Sequence, residues 1–258
     1  DAGGDLTMTK PRIAIFDFAC CEGCQLQLVN LEEELLDLVG AADVVEWREA
    51  MSEKGDEYDV AIIEGSITRL EDEERLRLIR SRAKTLIALG ACATIGGVNK
   101  LKNNFGDLEE VKKCVYGRDA KMPHLATQPT KSVDEVVQVD YYVHGCPIDR
   151  KEFTYIVRCL LMGKVPEVPN HPVCVECKAR GNPCLWEYGQ VCLGPVVLAG
   201  CGARCPSNGF RCFGCRGYID NPNVDAAKDV IDKYGLTVDH LRAKMILFGS
   251  GQEATIHA

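Results

Sequence analysis

RIAIFDFACCEGCQL, residues 12–26, joins an apolar run to two cysteines and to the start of a helix. The run RIAIFDF predicts a buried strand, because its apolar residues are nearly continuous over the length of a strand. A helix is then predicted from leucines that share one face: Leu28, Leu31, Leu35 and Leu38. A strand, a tight loop and a helix in this order are typical of the first unit of an α/β sheet.

The alternation of strands and helices continues to about residue 165. Four further strands are predicted, at 44–47, 59–63, 85–89 and 136–143. Thr68 and Glu71 form a capping-box signal that opens a helix with an acidic first turn, running to about Ala83. The pattern predicts an α/β fold for residues 10–165, a flavodoxin-like parallel sheet with helices on both faces.

Four cysteines follow the ends of predicted strands. Cys21 and Cys24 come after the first strand, Cys92 after the fourth and Cys146 after the last. The carboxyl ends of parallel strands meet at one edge of a sheet, where open α/β folds bind their ligands. We therefore expect one metal site there, facing the amino-terminal N–H groups of a helix that begins near Gln25.

Residues 166–258 are predicted to form a small irregular iron-sulfur domain followed by C-terminal helices. Prolines and glycines interrupt any regular periodicity up to Gly217, so metal ligation is the expected source of order. Helical patterning returns over 224–248, with Ala227, Ile231 and Tyr234 on one face.

Eight of the fifteen cysteines lie between Cys174 and Cys215. With the four at the sheet edge they make twelve candidate ligands, which is three sets of four. An iron-sulfur cluster is held mostly by four cysteine thiolates, often with a C-x2-C pair in one loop. The odd total of fifteen is unfavourable for a framework of disulfides.

Composition excludes several classes of function. The net charge of −8 argues against nucleic-acid binding, which depends on lysine and arginine contacts to phosphate. No apolar run approaches the about 20 residues of a membrane-spanning helix, and residues 1–11 lack the features of a secretory signal. We therefore expect a cytoplasmic protein without a membrane span, in which cysteines stay reduced.

An ordered set of motifs resembles the small, electron-transferring subunit of nickel-iron hydrogenases, in the cytoplasmic branch with sulfhydrogenases and NAD(P)-linked enzymes. More distantly, the chain resembles the 20 kDa subunit family of respiratory complex I. The motifs are CEGCQL at 21–26, EGS at 64–66, GACA at 90–93, HGCP at 144–147, CVEC at 174–177, CLGPV at 192–196, AGCGARCP at 199–206 and CFGCRG at 212–217.

The resemblance implies three 4Fe-4S clusters. The proximal cluster, facing a nickel-iron site on a larger chain, would be held by Cys21, Cys24, Cys92 and Cys146. The medial cluster would be held by Cys201, Cys205, Cys212 and Cys215, and the distal cluster by Cys174, Cys177, Cys184 and Cys192. The partition of the late eight stays open, because two-cluster segments can interleave their ligands.

The resemblance also implies partners. These are the hydrogenase large subunit and an iron-sulfur or flavin diaphorase subunit, or a ferredoxin-type subunit, that exchanges electrons with a soluble acceptor. Periplasmic members place a histidine where Cys174 stands and often a proline where Cys205 stands. Cysteine at both positions is what implies three complete clusters.

Two other residues are alternative ligands. His171 could replace a late cysteine, and Cys20 with Cys21 could form the tandem pair that the complex I subunit uses. Cys24 favours the hydrogenase arrangement. Cys114 and Cys159 have no nearby cysteine in sequence and are expected to be structural.

Glu22 lies inside the first ligand loop and Glu64 at a strand end on the same sheet edge. Either carboxylate could relay protons, because burial beside an anionic site raises its pKa. A solvated carboxylate or a salt bridge to the partner is the alternative for both.

Two further functions stay open. One is a complex I-like oxidoreductase subunit without hydrogenase activity, which the late cysteines disfavour. The other is a structural zinc protein, since C-x2-C pairs also serve zinc. The sequence contains no P-loop, no dinucleotide-binding turn and no hydrolase triad, so a nucleotide or flavin site is expected on another subunit.

Overall fold

The protein's computed structural model describes residues 10–118, 122, 126–220, 229, 231–235 and 237–249. Within these ranges, five parallel strands form one sheet in the order β2-β1-β3-β4-β5. The strands are β1 (Arg12–Asp17), β2 (Asp43–Trp47), β3 (Val60–Glu64), β4 (Thr85–Leu89) and β5 (Tyr141–Val143). This is the flavodoxin-like order, whose ligand-binding switch point lies where β1 meets β3.

Nine α-helices are found in the described ranges, together with two 3₁₀ helices at Val98–Phe105 and Leu185–Tyr188. The α-helices are α1 (Gly23–Val29), α2 (Glu33–Ala41), α3 (Leu70–Arg82), α4 (Gly90–Ile95), α5 (Leu108–Tyr116), α6 (Arg150–Leu161), α7 (Val173–Ala179), α8 (Arg204–Ser207) and α9 (Val238–Gly249). Of the helices described, none has both the length and the apolar character to cross a membrane.

The sheet is covered by helices on both faces because side chains alternate along each strand. In β3, Ile62 joins a buried cluster with residues of α1 and α6, whereas Ala61 and Ile63 join a second cluster with α3. Strands buried on both faces are typical of parallel sheets, and this explains their continuous apolar runs. The predicted α/β, flavodoxin-like fold is confirmed.

The single helix predicted after the first strand is wrong, because the structure contains two. α1 ends at Val29 and α2 begins at Glu33, and between them Glu32 has a φ of +54°. A helix cannot continue through a residue in that conformation. The leucine spacing still identified the inward face, since Leu28 and Leu31 are buried.

The start of α3 lies one residue later than predicted, and only half of a capping box forms there, because the arginine at the N-cap has no acceptor on its side chain. Arg69 is the N-cap, and the Asp72 carboxylate accepts a hydrogen bond from the Arg69 backbone at 3.1 Å. Thr68 and Glu71 therefore do not form the pair. Four consecutive acidic residues, 71–74, give the sequence several equivalent registers, and packing of the helix selects among them.

The last strand is shorter than predicted. β5 contains only Tyr141–Val143, whereas the apolar residues that begin the predicted strand lie in a turn. The Val136 and Val137 backbones both donate to the Val133 carbonyl, at 3.1 and 3.0 Å. Val133 is fully buried against the sheet, so this apolar run contributes to the core without joining the ladder.

The cysteine-rich region has a small apolar core of its own, which the sequence analysis did not predict. Its buried members include Trp186, Leu193, Val197 and Ile231, together with Cys177, Cys192 and Cys212. Helix α9 packs back on the first region, where Phe248 contacts Ala91 and Ile95. Of the predicted helical face, Ala227 lies outside the described residues. The domain boundary at 165/166 stays a prediction.

Helix α3 is tied to the loop before β5 by one carboxylate. Glu73 is 6% exposed and accepts hydrogen bonds from Lys131 at 2.7 Å, from Gln128 at 2.8 Å and from Arg77 at 2.8 Å. The hydrogen bonds from Lys131 and Gln128 lower the pKa of Glu73 to about 2. The ionised carboxylate is therefore the form that stabilises this junction.

We expect Glu73→Gln to lower the free energy of unfolding by about 1 to 2 kcal/mol at pH 7. A carboxyl group whose pKa is depressed by folding contributes stability above its unfolded value of 4.5, and this is lost as the pH falls toward 2. Thermal unfolding of both proteins from pH 8 to pH 4 measures the effect. If the difference in unfolding temperature between the two proteins does not narrow below pH 5, the prediction is contradicted.

Candidate metal centres

The first set of cysteines lies at the carboxyl edge of the sheet. Cys21 and Cys24 flank the start of α1 after β1, Cys92 is in α4 after β4, and Cys146 follows β5. The charges of Cys146 and Cys21 add to burial in raising the pKa of the Cys92 thiol, and the charge of Cys92 in turn raises the pKa of Cys24. The structure thus brings these four thiols to one place, as the strand pattern predicted.

Glycines make room for the first set of thiols. A Cβ atom on Gly90 would lie 2.3 Å from the Cys24 Sγ, and one on Gly97 would lie 2.8 Å from the Cys92 Sγ. Gly90 also has a φ of +81°, a conformation that favours glycine. The Ala91 N–H bonds to the Gly145 carbonyl at 2.7 Å, which ties the loop after β4 to the loop after β5.

The loop before Cys20 is held by a residue that the sequence analysis missed. The Asn99 side chain donates to the Ala19 carbonyl at 2.7 Å and to the Ser66 Oγ at 2.9 Å. Ala19 and Ser66 also exchange backbone hydrogen bonds. Asn99 is 80 positions from Ala19, so only the folded sheet reveals its role.

Glu64 caps helix α1. Its carboxylate is 2% exposed and accepts the Cys24 N–H at 3.0 Å and the Gln25 N–H at 3.2 Å. The amino terminus of α1 lies between Cys21 and Cys24, as expected, but two of its N–H groups bind Glu64. Burial raises the pKa of Glu64, while the hydrogen bonds from Cys24 and Gln25 lower it.

Glu22 is the residue on the other side of this loop. It adopts a φ of +60°, and its carboxylate lies 2.8 Å from Arg48, which also pairs with Asp17 at 2.9 Å. A salt bridge was one of the alternatives for Glu22, although the cation belongs to the same chain. The proposed proton relay through Glu22 or Glu64 stays a prediction.

The second set contains Cys174, Cys177, Cys184 and Cys192. The Cys174 thiol has the other three as its charge neighbours, and burial raises its pKa to about 12. Gly194 again leaves space, since a Cβ atom there would lie 3.2 Å from the Cys174 Sγ and 3.5 Å from the Cys192 Sγ.

The third set contains Cys201, Cys205, Cys212 and Cys215. Cys201, Cys146 and Cys205 are charge neighbours of Cys215, and Cys192, Cys215 and Cys201 are charge neighbours of Cys212. These neighbours include Cys146 of the first set and Cys192 of the second, so the partition of the late eight cysteines stays open. Ligand assignment for both late sets stays a prediction.

The three sets lie beside one another. The Cys212 N–H donates to the Cys192 Sγ at 3.1 Å, which joins the third set to the second. Burial raises the pKa of Cys215 to about 12, and the charges of Cys201 and of Cys146 in the first set act in the same direction. The third set is therefore the neighbour of both other sets.

The thiols fit iron-sulfur clusters by their chemistry. All fifteen cysteines are free, and burial is the main cause that raises the pKa of Cys24, Cys92 and Cys212. Iron offsets this penalty, because a coordinated cysteine is deprotonated. In the described ranges no three His, Cys, Asp or Glu side chains are close enough to hold a single metal ion. A cluster has a different requirement, four thiolates around a body of several atoms.

Cys20 remains an open alternative. Burial raises its pKa to about 12, and Glu64 and Cys92 are among its charge neighbours. His171 directs Nδ1 toward the Pro172 carbonyl at 3.4 Å. Cys159 is buried in α6, and Cys114 is exposed on α5.

Comparisons with known proteins identify the family of this chain. The family described as NADH ubiquinone oxidoreductase, 20 Kd subunit, matches residues 21–160. Sulfhydrogenase 2 subunit delta of Pyrococcus furiosus is 37% identical over 222 residues, covering 85% of this chain and 92% of that protein. A vhu subunit of the F420-non-reducing hydrogenase of Methanococcus voltae is 32% identical over 261 residues, covering 89% of this chain and 90% of that protein.

Solved structures give the same result. A crystal structure of an NAD+-reducing nickel-iron hydrogenase in the H2-reduced state contains a chain that is 30% identical with a TM-score of 0.56. The match covers 96% of that chain but 62% of this one.

We expect Glu64→Gln to destabilise the first ligand loop by about 1 to 3 kcal/mol, because an amide has one acceptor oxygen for two buried N–H groups. Glu22→Gln is the matched control, since it removes a partly exposed ion pair worth about 0 to 1 kcal/mol. Thermal unfolding and bound iron measure both. If both variants lost the same amount of stability and of bound iron, the Glu64 cap would have no special role in this loop.

Proposed function

The chain belongs to the family of the NADH ubiquinone oxidoreductase 20 kDa subunit, and we propose that it is the electron-relay subunit of a nickel-iron hydrogenase. One observation carries the proposal: four cysteines lie at the sheet edge, and the late cysteines lie beside them, with Cys146 a charge neighbour of Cys215 and the Cys212 N–H donating to the Cys192 sulfur. Hydrogenase subunits as relatives over most of the chain support the same conclusion.

The proximal cluster would be held by Cys21, Cys24, Cys92 and Cys146, the medial by Cys201, Cys205, Cys212 and Cys215, and the distal by Cys174, Cys177, Cys184 and Cys192. When bound, such clusters supply one-electron transfer between the partner subunits. The order of contacts among the sets agrees with this assignment.

The chain's own residues hold, orient and shield the ligands. Glu64 fixes the backbone of Cys24, and the Gly90 and Gly97 backbones pack against thiols where a side chain would not fit. The Cys212 N–H donates to the Cys192 sulfur. Hydrogen bonds to the ligand sulfurs and the exclusion of water set the reduction potentials of iron-sulfur clusters.

The large subunit is proposed to cover the first set. Cys21 and Cys146 are exposed at this edge. Nearby on α1, Leu26 is 55% exposed and Val29 is 44% exposed. Exposed apolar side chains beside a redox site suit an interface with another protein. The second set would face a diaphorase or ferredoxin-type subunit, in a cytoplasmic complex.

A complex I-like subunit without hydrogenase activity is the second candidate. The family match ends at residue 160, before the late cysteines. The 37% identical sulfhydrogenase subunit covers 85% of the chain. This coverage favours the hydrogenase assignment. Structural zinc remains a separate outcome of metal analysis, because zinc sites are colourless and redox-inactive.

Anaerobic co-purification from the native host tests the proposal. We expect a brown complex with about twelve irons on this subunit, from three clusters of four. We also expect nickel in an attached larger chain and H2-dependent reduction of a dye. A stable monomer, or zinc in place of iron, would contradict the assignment.

We expect Cys92→Ala to lower bound iron from about twelve to about eight per subunit and to abolish H2-dependent reduction, because the first set loses a ligand. Cys114→Ala is the control, since that thiol is exposed on α5. Iron content and H2-dependent dye reduction measure both variants. Full turnover by Cys92→Ala would remove Cys92 from the ligand set.

A further inference from the structure

Arg216 is a buried cation between the first and third sets of cysteines. It directly follows Cys215 and is 1% exposed, although arginine is almost never fully buried unless paired. Its partner is Glu152 in the first turn of α6, whose side chain is 7% exposed. The two residues are 64 positions apart, so the pair joins the cysteine-rich region to the α/β region.

The guanidinium contacts three segments of chain. It donates to Glu152 Oε1 and Oε2 at 2.6 and 2.8 Å, to the His144 carbonyl at 2.8 Å and to the Ala199 carbonyl at 2.8 Å. His144 lies two residues before Cys146, and Ala199 lies two residues before Cys201. One side chain thus fixes the backbone beside ligands of both sets.

Close packing leaves the guanidinium no alternative position. A Cβ atom on Gly200 would lie 2.3 Å from the Arg216 Nη2 and 2.8 Å from the Glu152 Oε1. Gly200 has a φ of +115°, so glycine is required here by conformation and by space. The glycine backbone therefore holds the ion pair against the segment that leads to Cys201.

The charge of Arg216 is directed toward the third set. Cys201 and Cys215 are its charge neighbours after Glu152, whereas the charge neighbours of Glu152 other than Arg216 are carboxylates. Arg216 directly follows Cys215 in the chain, and the charges of Cys201 and Cys215 help to raise the pKa of its guanidinium. Positive charge in a buried, low-dielectric position stabilises the more negative, reduced state of a nearby redox centre.

We propose that Arg216 is the positioning residue for electron transfer between the first and third sets, holding the two backbones together and raising the reduction potential of the third set, with Glu152 as its counter-charge. This inference rests on the proposed electron-relay function. The chemistry differs from ligation, because neither side chain binds iron. It differs from a plain structural bridge, because the sign of each charge matters.

The test uses the anaerobically purified complex with Arg216→Gln, Arg216→Lys and Glu152→Gln. Redox titration followed by electron paramagnetic resonance measures the midpoint potentials. Arg216→Gln should lower the reduction potential of the third set and slow H2-dependent dye reduction by about tenfold to a hundredfold. Arg216→Lys keeps the positive charge, so its midpoint potential should stay close to the wild-type value. Glu152→Gln removes the negative charge and should raise the midpoint potential above the wild-type value.

Opposite shifts in the two Gln variants are the decisive result, because both variants break the same ion pair. A merely structural bridge predicts shifts of one sign, and that result overturns the proposal, as does the absence of any shift at full iron content. If Arg216→Gln does not assemble, Glu152→Gln and Arg216→Lys decide alone. The proposal is then overturned if the midpoint potential of Glu152→Gln equals that of the wild type, or if the midpoint potential of Arg216→Lys falls well below it.

Asp59→Asn is the matched control. Asp59 pairs with Arg12 and Lys84 beside the amino ends of the strands, at the opposite edge of the sheet. Its substitution should leave the reduction potential of the third set at the wild-type value. A wild-type complex without iron or without a nickel-containing partner refutes the proposed function itself, which separates that failure from a failure of the role of Arg216.

Discussion

The parallel direction of the five strands is the constraint on which the first ligand set depends. Every strand ends at the same edge, so cysteines after β1, β4 and β5 meet there despite separations of up to 125 positions, from Cys21 to Cys146. Glu64 lies at the end of β3, between those strands, and uses its carboxylate to fix the backbone of Cys24. Sheet direction thus brings these thiols together, and one buried carboxylate fixes the backbone of Cys24 among them.

Much of this site could be predicted because its information is local. Strand periodicity and the position of each cysteine after a strand were sufficient to bring the four thiols to one edge. The same reasoning failed for Glu64, because a residue at the end of one strand reveals nothing about the helix that it caps. Asn99 and Arg216 were missed for the same reason, since their partners are 80 and 64 positions away.

The differences between the predicted and the observed fold also have local causes. Leucine spacing identifies an inward face but not the φ of +54° at Glu32 that divides the helix. A run of acidic residues specifies that α3 begins nearby but not the register of its cap. In the cysteine-rich region, apolar residues separated by prolines and glycines gave no periodicity, although Trp186, Leu193 and Val197 pack together with Cys192 and Cys212. That core and the thiols share one small interior.

The hydrogen bond between the second and third thiol sets has a property of its own. At Cys212 the donor is a main-chain amide, which every residue except proline possesses. This link therefore depends on the path of the backbone and not on the chemistry of the donor's side chain. A substitution that removes the Cys212 thiol would leave the amide beside the Cys192 sulfur in place.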